Sequence, residues 1–255
     1  MGRDFDTYHD FASSNLDEIY DPDDLASSLH LTTNCLESGI YRNNGDGTFT
    51  WQTLPRMVQQ SPGYGVAVID LDADGYLDLA ITQNFFTMQA ETGLLRGGMG
   101  VILHGSAGGS FTAMSPDASG MVVFGDGKGL AVLDADHDGR PDLLAIQNND
   151  VPVLLTDAGH HGRNYLYVRL EGPAGNPTGI GARVTATYVD GHTQALFVAA
   201  GGGYLSQSSA ALAFGHPEGN PVTAVSIVWP DGTTSEEQIE PGNSSVRLTP
   251  NGTDR

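Results

Sequence analysis

Residues 65–84 read GVAVIDLDADGYLDLAITQN and residues 129–148 read GLAVLDADHDGRPDLLAIQN, and eleven of the twenty aligned positions are identical at an offset of 64. In each copy an apolar run enters the pattern Asp-x-Asp-x-Asp-Gly-x-x-Asp and a second apolar run leaves it. Val66, Ala67, Val68 and Ile69 form the entering run, and Leu77, Leu79 and Ile81 alternate on the way out, which is the period of a β-strand. The loops therefore bridge two strands. A second element recurs at nearly the same offset: residues 41–50 (YRNNGDGTFT) resemble residues 103–112 (LHGSAGGSFT), a Gly-rich turn before Phe49 or Phe111. Each reads as a β-hairpin. Strand, Asp loop, strand, variable connection and hairpin, recurring at roughly 60 residues, make the unit of a four-stranded propeller blade.

The loop spacing suits a hard cation. Ca²⁺ takes 6–8 oxygens at about 2.3–2.6 Å, and alternate residues of a tight loop can aim carboxylates at one centre. Asp70, Asp72, Asp74 and Asp78 are the expected side-chain ligands of one ion, and Asp134, Asp136, Asp138 and Asp142 those of a second. Position seven, Tyr76 or Arg140, is expected to contribute its backbone carbonyl. An EF-hand begins in the same way but needs Glu at position twelve, where this chain has Ile81 and Ala145. Two calcium sites are thus expected, with magnesium disfavoured by its stricter octahedral geometry.

Composition agrees with turns and cation loops rather than helices. The 255 residues include 23 Asp against 8 Glu, 34 Gly and 13 Pro, and the net charge is -20. Lys128 is the only lysine. Such a field disfavours nucleic acid and anionic membranes as partners. Cys35 stands alone, so neither a disulfide framework nor a zinc cluster of cysteine pairs is expected. No apolar run reaches the roughly 18 residues of a spanning helix, and residues 1–14 lack the pattern of a signal peptide. Either the chain is cytosolic or its export signal lies outside it. Residues 1–38 read as an acidic segment, possible remains of a preceding blade, with a short helix conceivable over 27–35.

From Asn164 the character changes. Alternating segments at 164–170, 183–189, 193–199, 210–214 and 222–229, with turns at Asp190-Gly191 and Asp231-Gly232, predict a small β-sandwich or barrel. Gly201, Gly202 and Gly203 imply backbone packed closely against Trp229, an adjacent blade or a ligand.

The Asp loops resemble FG-GAP (VCBS) repeats of integrin-α-like propellers, in which such loops bind Ca²⁺ between the first two strands of a blade. The C-terminal third resembles the ASPIC/UnbV domain, on residues 179–184 (GIGARV), 202–208 (GGYLSQS), Phe214-Gly215 and 228–232 (VWPDG). The resemblance implies an all-β chain: a partial FG-GAP propeller of about two blades over 39–160, then a small sandwich or barrel over 161–252. It also implies an extracellular, cell-surface or periplasmic binding or scaffold module, part of a larger propeller protein. Its partner would be a protein or glycan, and missing blades or another chain would cover the open edges. The alternative is an enzyme or accessory factor of secondary metabolism, of the enediyne type, with a pocket between blades and sandwich.

Catalytic patterns are weak. Ser206, Ser208 and Ser209 lack a Gly-x-Ser-x-Gly elbow, and His160-His161 lack the spacing of a zincin. No catalytic residue is expected.

Overall fold

The computed structural model describes residues 4–250 and 252–253, and its regular structure is dominated by antiparallel strands. Three short helices come first: α1 (Tyr8–Ser13), α2 (Leu16–Ile19) and α3 (Pro22–Ser27). Each starts at a capping residue, Thr7, Asn15 or Asp21, and none buries a side chain. This corrects the helix expected over 27–35, because the last helix of the acidic segment ends at Ser27. Asp21 and Pro22 set that start, because proline at the first helical position needs no amide hydrogen bond.

Strands β1 (Gly39–Asn43) and β2 (Phe49–Thr53) pair as a hairpin. β3 (Gly63–Ile69), β4 (Asp78–Gln83), β5 (Val101–His104) and β6 (Thr112–Ala113) then form a four-stranded antiparallel meander. β7 (Asp126–Leu133), β8 (Asp142–Asn148) and β9 (Val153–Leu155) form a three-stranded copy of it. The copies share an irregularity: the β3–β4 register shifts between Gly63 and Val66, and the β7–β8 register between Gly127 and Leu130, again 64 residues on.

The middle sheet is covered on both faces, as a stacked blade must be. Leu79, Ile81, Val101 and Leu103 turn toward the hairpin, packing with Ile40 and Leu54. Ala80 and Ile102, one residue out of phase, turn the other way and meet Leu130, Leu143 and Ala145 of the next sheet. That next sheet has no third neighbour among the described residues, and Ile146 and Leu154 are 41% and 49% exposed on it.

The C-terminal unit is a sandwich of two sheets. One has the order β13-β10-β16-β17, from β10 (Arg163–Leu170), β13 (Leu212–Pro217), β16 (Ser245–Thr249) and β17 (Gly252–Thr253). The other has the order β12-β11-β14-β15, from β11 (Arg183–Tyr188), β12 (Thr193–Phe197), β14 (Val222–Val228) and β15 (Thr234–Gln238). Leu166, Val168, Leu170, Phe214, Ile227 and Trp229 fill the space between them. Because side chains alternate along a strand, the residues between these on β10 and β13 point outward, at the blades.

Two attachments fix the sandwich to the blades. Tyr165 and Ala213 pack with Ile69 and Ala73 as a small core of their own. The second attachment is the Gly201–203 segment, which lies on the adjacent blade. A Cβ on Gly203 would sit 2.2 Å from the Leu130 carbonyl oxygen. Ser206 Oγ accepts from Leu130 N–H at 3.2 Å, Ser208 Oγ accepts from Val132 N–H at 3.1 Å, and Ser209 N–H donates to the Val132 carbonyl at 2.9 Å. The segment thereby satisfies the free edge of β7, which would otherwise leave backbone groups unpaired.

Candidate metal centres

The β3–β4 and β7–β8 connections are the two Asp loops, and they fold alike down to single hydrogen bonds. Asp70 Oδ1 accepts from Asp74 N–H at 3.1 Å, and Asp134 Oδ1 from Asp138 N–H at 3.1 Å. The other oxygens of Asp70 and Asp134 accept from Gly75 and Gly139 N–H at 2.8 and 3.3 Å. Asp72 and Asp136 accept from the same Asp74 and Asp138 amides, while Asp74 and Asp138 accept from Tyr76 and Arg140 N–H. Asp78 and Asp142 close the loops onto Leu71 and Ala135 N–H, both at 2.8 Å. Turning so tightly requires left-handed backbone at Gly75 (φ 94°) and Gly139 (φ 82°), and it imposes the same on Ala73 (φ 54°) and His137 (φ 62°).

Side-chain oxygens converge in both loops. Ligand atoms of Asp70, Asp72 and Asp74 lie within 4.8 Å of one another, as do those of Asp134, Asp136 and Asp142. Asp138 stands apart because the Arg140 guanidinium is ion-paired to its Oδ2. The side chain of position seven in the second loop is therefore a built-in counter-charge, and Tyr76 has no such role in the first. Asp70, Asp72, Asp74 and Asp78, with the Tyr76 carbonyl, are the groups that would hold an ion in the first loop. Asp134, Asp136, Asp142 and Asp138, with the Arg140 carbonyl, would do so in the second.

His104 is a neighbour that sequence reading missed. It ends β5, and its Nδ1 lies 3.4 Å from Asp78 Oδ1 and 3.7 Å from Asp72 Oδ2, with Nε2 3.6 Å from Asp74 Oδ2. Blade logic contains the signal, since β5 runs antiparallel to β4 and its last residue must return to where Asp78 begins. In the second copy Leu155 pairs with Leu143 as Leu103 does with Leu79, so Thr156 stands where His104 does and Asp157 where Gly105 does. Asp157 N–H donates to Asp142 Oδ1 at 3.0 Å, as Gly105 N–H does to Asp78 Oδ1 at 2.7 Å.

Electrostatics separate the loops. Asp70 is fully buried, and burial, with Asp74, Asp78 and Asp72 close by, pushes its carboxyl up to about 8 despite the Gly75 hydrogen bond. Burial likewise pushes Asp78 up to about 6, against two backbone hydrogen bonds. Asp74 is raised too, again chiefly by burial. The second loop is more open, with Asp136 and Asp138 exposed. A divalent cation in the first loop would remove the repulsion and repay the desolvation together, so the donor set fits one.

Burial of the first loop comes from the sandwich. Arg163 Nη1 lies 3.9 Å from Asp72 Oδ1, the Tyr165 hydroxyl donates to the Leu71 carbonyl at 2.9 Å, and Gln194 Nε2 donates to the Gly75 carbonyl at 3.2 Å. His192 stacks between Tyr76 and Tyr188, with ring centroids at 5.4 and 3.9 Å. The first loop is thus both a candidate cation site and the platform on which the C-terminal domain rests.

Comparison with protein families gives one match in each part of the chain. The model of the FG-GAP-like repeat matches residues 29–81, covering the hairpin, β3 and the first Asp loop, and the ASPIC and UnbV model matches residues 172–255. No curated protein matches the chain.

Proposed function

Because this chain joins an FG-GAP-like repeat to an ASPIC and UnbV domain, we propose that it is a non-catalytic, calcium-binding module acting in extracellular binding or as a scaffold. The observation that carries this reading is the duplication of the loop hydrogen bonds around two converging sets of carboxylate oxygens. Chance acidic turns have no reason to repeat such a pattern 64 residues apart. Each loop holds one Ca²⁺, the first clamping the sandwich to the blades and the second lying open to solvent. Extracellular calcium modules bind with dissociation constants of about 10⁻⁴–10⁻³ M, which suits loops built from many carboxylates. The exposed face carrying Ile146 and Leu154 receives further blades or another chain.

Equilibrium dialysis of the purified chain against millimolar calcium, together with melting in calcium and in chelator, tests the reading. Two Ca²⁺ per chain are expected, one lost in Asp72→Ala and one in Asp136→Ala. An unchanged melting midpoint on chelation, with no ion bound, would overturn it.

A further inference from the structure

The outward face of β10 carries Arg163, Tyr165, Tyr167 and Arg169, because Leu166, Val168 and Leu170 turn into the sandwich core. Arg163 and Tyr165 meet the first Asp loop closely. Further along the strand the contact opens, leaving a cleft of about 460 Å³ between the second Asp loop and the sandwich.

Three features distinguish this cleft from an accidental gap. Both walls carry apolar side chains, and Val68 and Phe197 stay 51% and 63% exposed in a cleft also lined by Val132 and Leu196. The Tyr167 hydroxyl is buried there and has no hydrogen-bond partner among the described residues. Such a group is costly to leave unpaired. A tyrosine hydroxyl is a hydrogen-bond donor at neutral pH. Arg169 lines the cleft, and its guanidinium has no hydrogen bond or ion pair to a described residue.

The arginine is also paired with its own kind. Arg169 and Arg247 are register partners on the adjacent parallel strands β10 and β16, so their side chains leave the same face about 4.8 Å apart. Like charges in that relationship oppose sheet formation. Glu171 answers one of them, at 3.2 Å from Arg247 Nη1. Both arginines border a smaller hollow of about 210 Å³, which shares Arg169, Ser209 and Ala211 with the cleft. Asp134, on the opposite wall, turns its oxygens into its own loop, onto Asp138 and Gly139 N–H. In a chain of net charge -20, the cleft and hollow together set two arginines against two carboxylates, Asp134 and Glu171, each already engaged, so the Arg169 guanidinium is left without a partner among the described residues.

We propose that the cleft binds a small amphipathic anion, its acidic head held by Arg169, Arg247 and the Tyr167 hydroxyl and its apolar body lying between Val68 and Phe197. The inference does not rest on cation binding, since the arginine pair and the unpartnered hydroxyl remain whether or not the loops hold calcium.

The test is fluorescence titration of the full chain with 8-anilinonaphthalene-1-sulfonate, an amphipathic anion, beside the uncharged N-phenyl-1-naphthylamine. One saturable site is expected for the anion. Exchanging Arg169→Gln together with Arg247→Gln weakens the anion at least about tenfold and leaves the neutral dye within about twofold, since charge-assisted contacts are lost and apolar ones kept. Phe197→Ser weakens both dyes. Tyr167→Phe, which removes only an unpartnered hydroxyl and preserves the fold, also weakens the anion selectively. Non-saturating binding, or an anion affinity indifferent to both the arginine pair and Tyr167, would overturn the proposal.

Discussion

Gly215 of the sandwich lies so close to Asp70 of the first loop that a Cβ on it would sit 2.4 Å from Asp70 Oδ2 and 2.5 Å from Ala73 Cα. The first residue of a candidate cation loop is therefore sealed by the backbone of another domain. That contact makes Asp70 fully buried, and its burial is the main cause of its raised pKa. Loop electrostatics and domain docking are consequently one problem at this point of the molecule.

Gly215→Val must push the domains apart or distort the loop. A loss of about 1–3 kcal/mol is expected, in the range of overpacked cores. Gly219→Ala, at a position with nothing within 4 Å, serves as the control and is expected to change little. Urea denaturation of the two variants beside the parent measures the difference.

The carboxyl shifts give the metal-free protein a defined pH dependence. Asp70 at about 8 and Asp78 at about 6 hold protons in the folded chain that the unfolded chain releases near pH 4. Folded pKa values above the unfolded ones mean that this contribution is complete below about pH 4 and is lost as pH rises through 6 and 8. In chelator, stability is therefore expected to fall between pH 5 and pH 8, by on the order of a few kcal/mol. Saturating calcium is expected to flatten that slope. Denaturation at the two pH values, with and without calcium, provides the four numbers needed, and a flat profile in chelator would contradict the account.

The two loops should respond unequally to mutation. Asp72→Ala touches a loop covered by Arg163 and Tyr165, whereas Asp136 is exposed in a loop where Arg140 already neutralises Asp138. Calcium at a hundredfold excess over its dissociation constant stabilises by about 2.7 kcal/mol per site that exists only in the folded state. The larger share of the calcium-dependent rise in melting midpoint is expected to disappear in Asp72→Ala, the smaller in Asp136→Ala. Differential scanning calorimetry in calcium and in chelator compares the two variants directly.

Ser206 is expected to act as a staple between domains and not as a nucleophile. Its hydroxyl oxygen lies 2.9 Å from the Leu130 carbonyl oxygen and 3.2 Å from the Leu130 nitrogen. Ser206→Ala leaves the Leu130 N–H without that acceptor, at a cost of about 1–3 kcal/mol. Faster limited proteolysis between Gly201 and Gln207, with the blades and sandwich otherwise intact, is the expected readout.

Strand and loop identity was legible in residues 65–84 and 129–148 because the information there is local. Alternation, the Asp-Gly turn and the repeat at 64 each depend on neighbours in the chain, and the FG-GAP-like match covers most of the first copy. The helices of the acidic segment were missed because their caps, Thr7, Asn15 and Asp21, sit among residues with little hydrophobic period. His104 escaped notice since its proximity to Asp72 and Asp78 arises only when β5 folds back along β4.

Taken alone, the order of residues determined that two carboxylate-rich bends would join pairs of strands and that a second β unit would follow. Tertiary structure alone decided that those bends differ: one is pressed beneath Gly215 and Tyr165, the other faces a cleft beside Tyr167 and Arg169. The reason is that charge pattern and backbone turn are set by residues within a few bonds, whereas desolvation is set by whatever surface arrives from far along the chain, as Tyr165 does from 94 residues beyond Leu71.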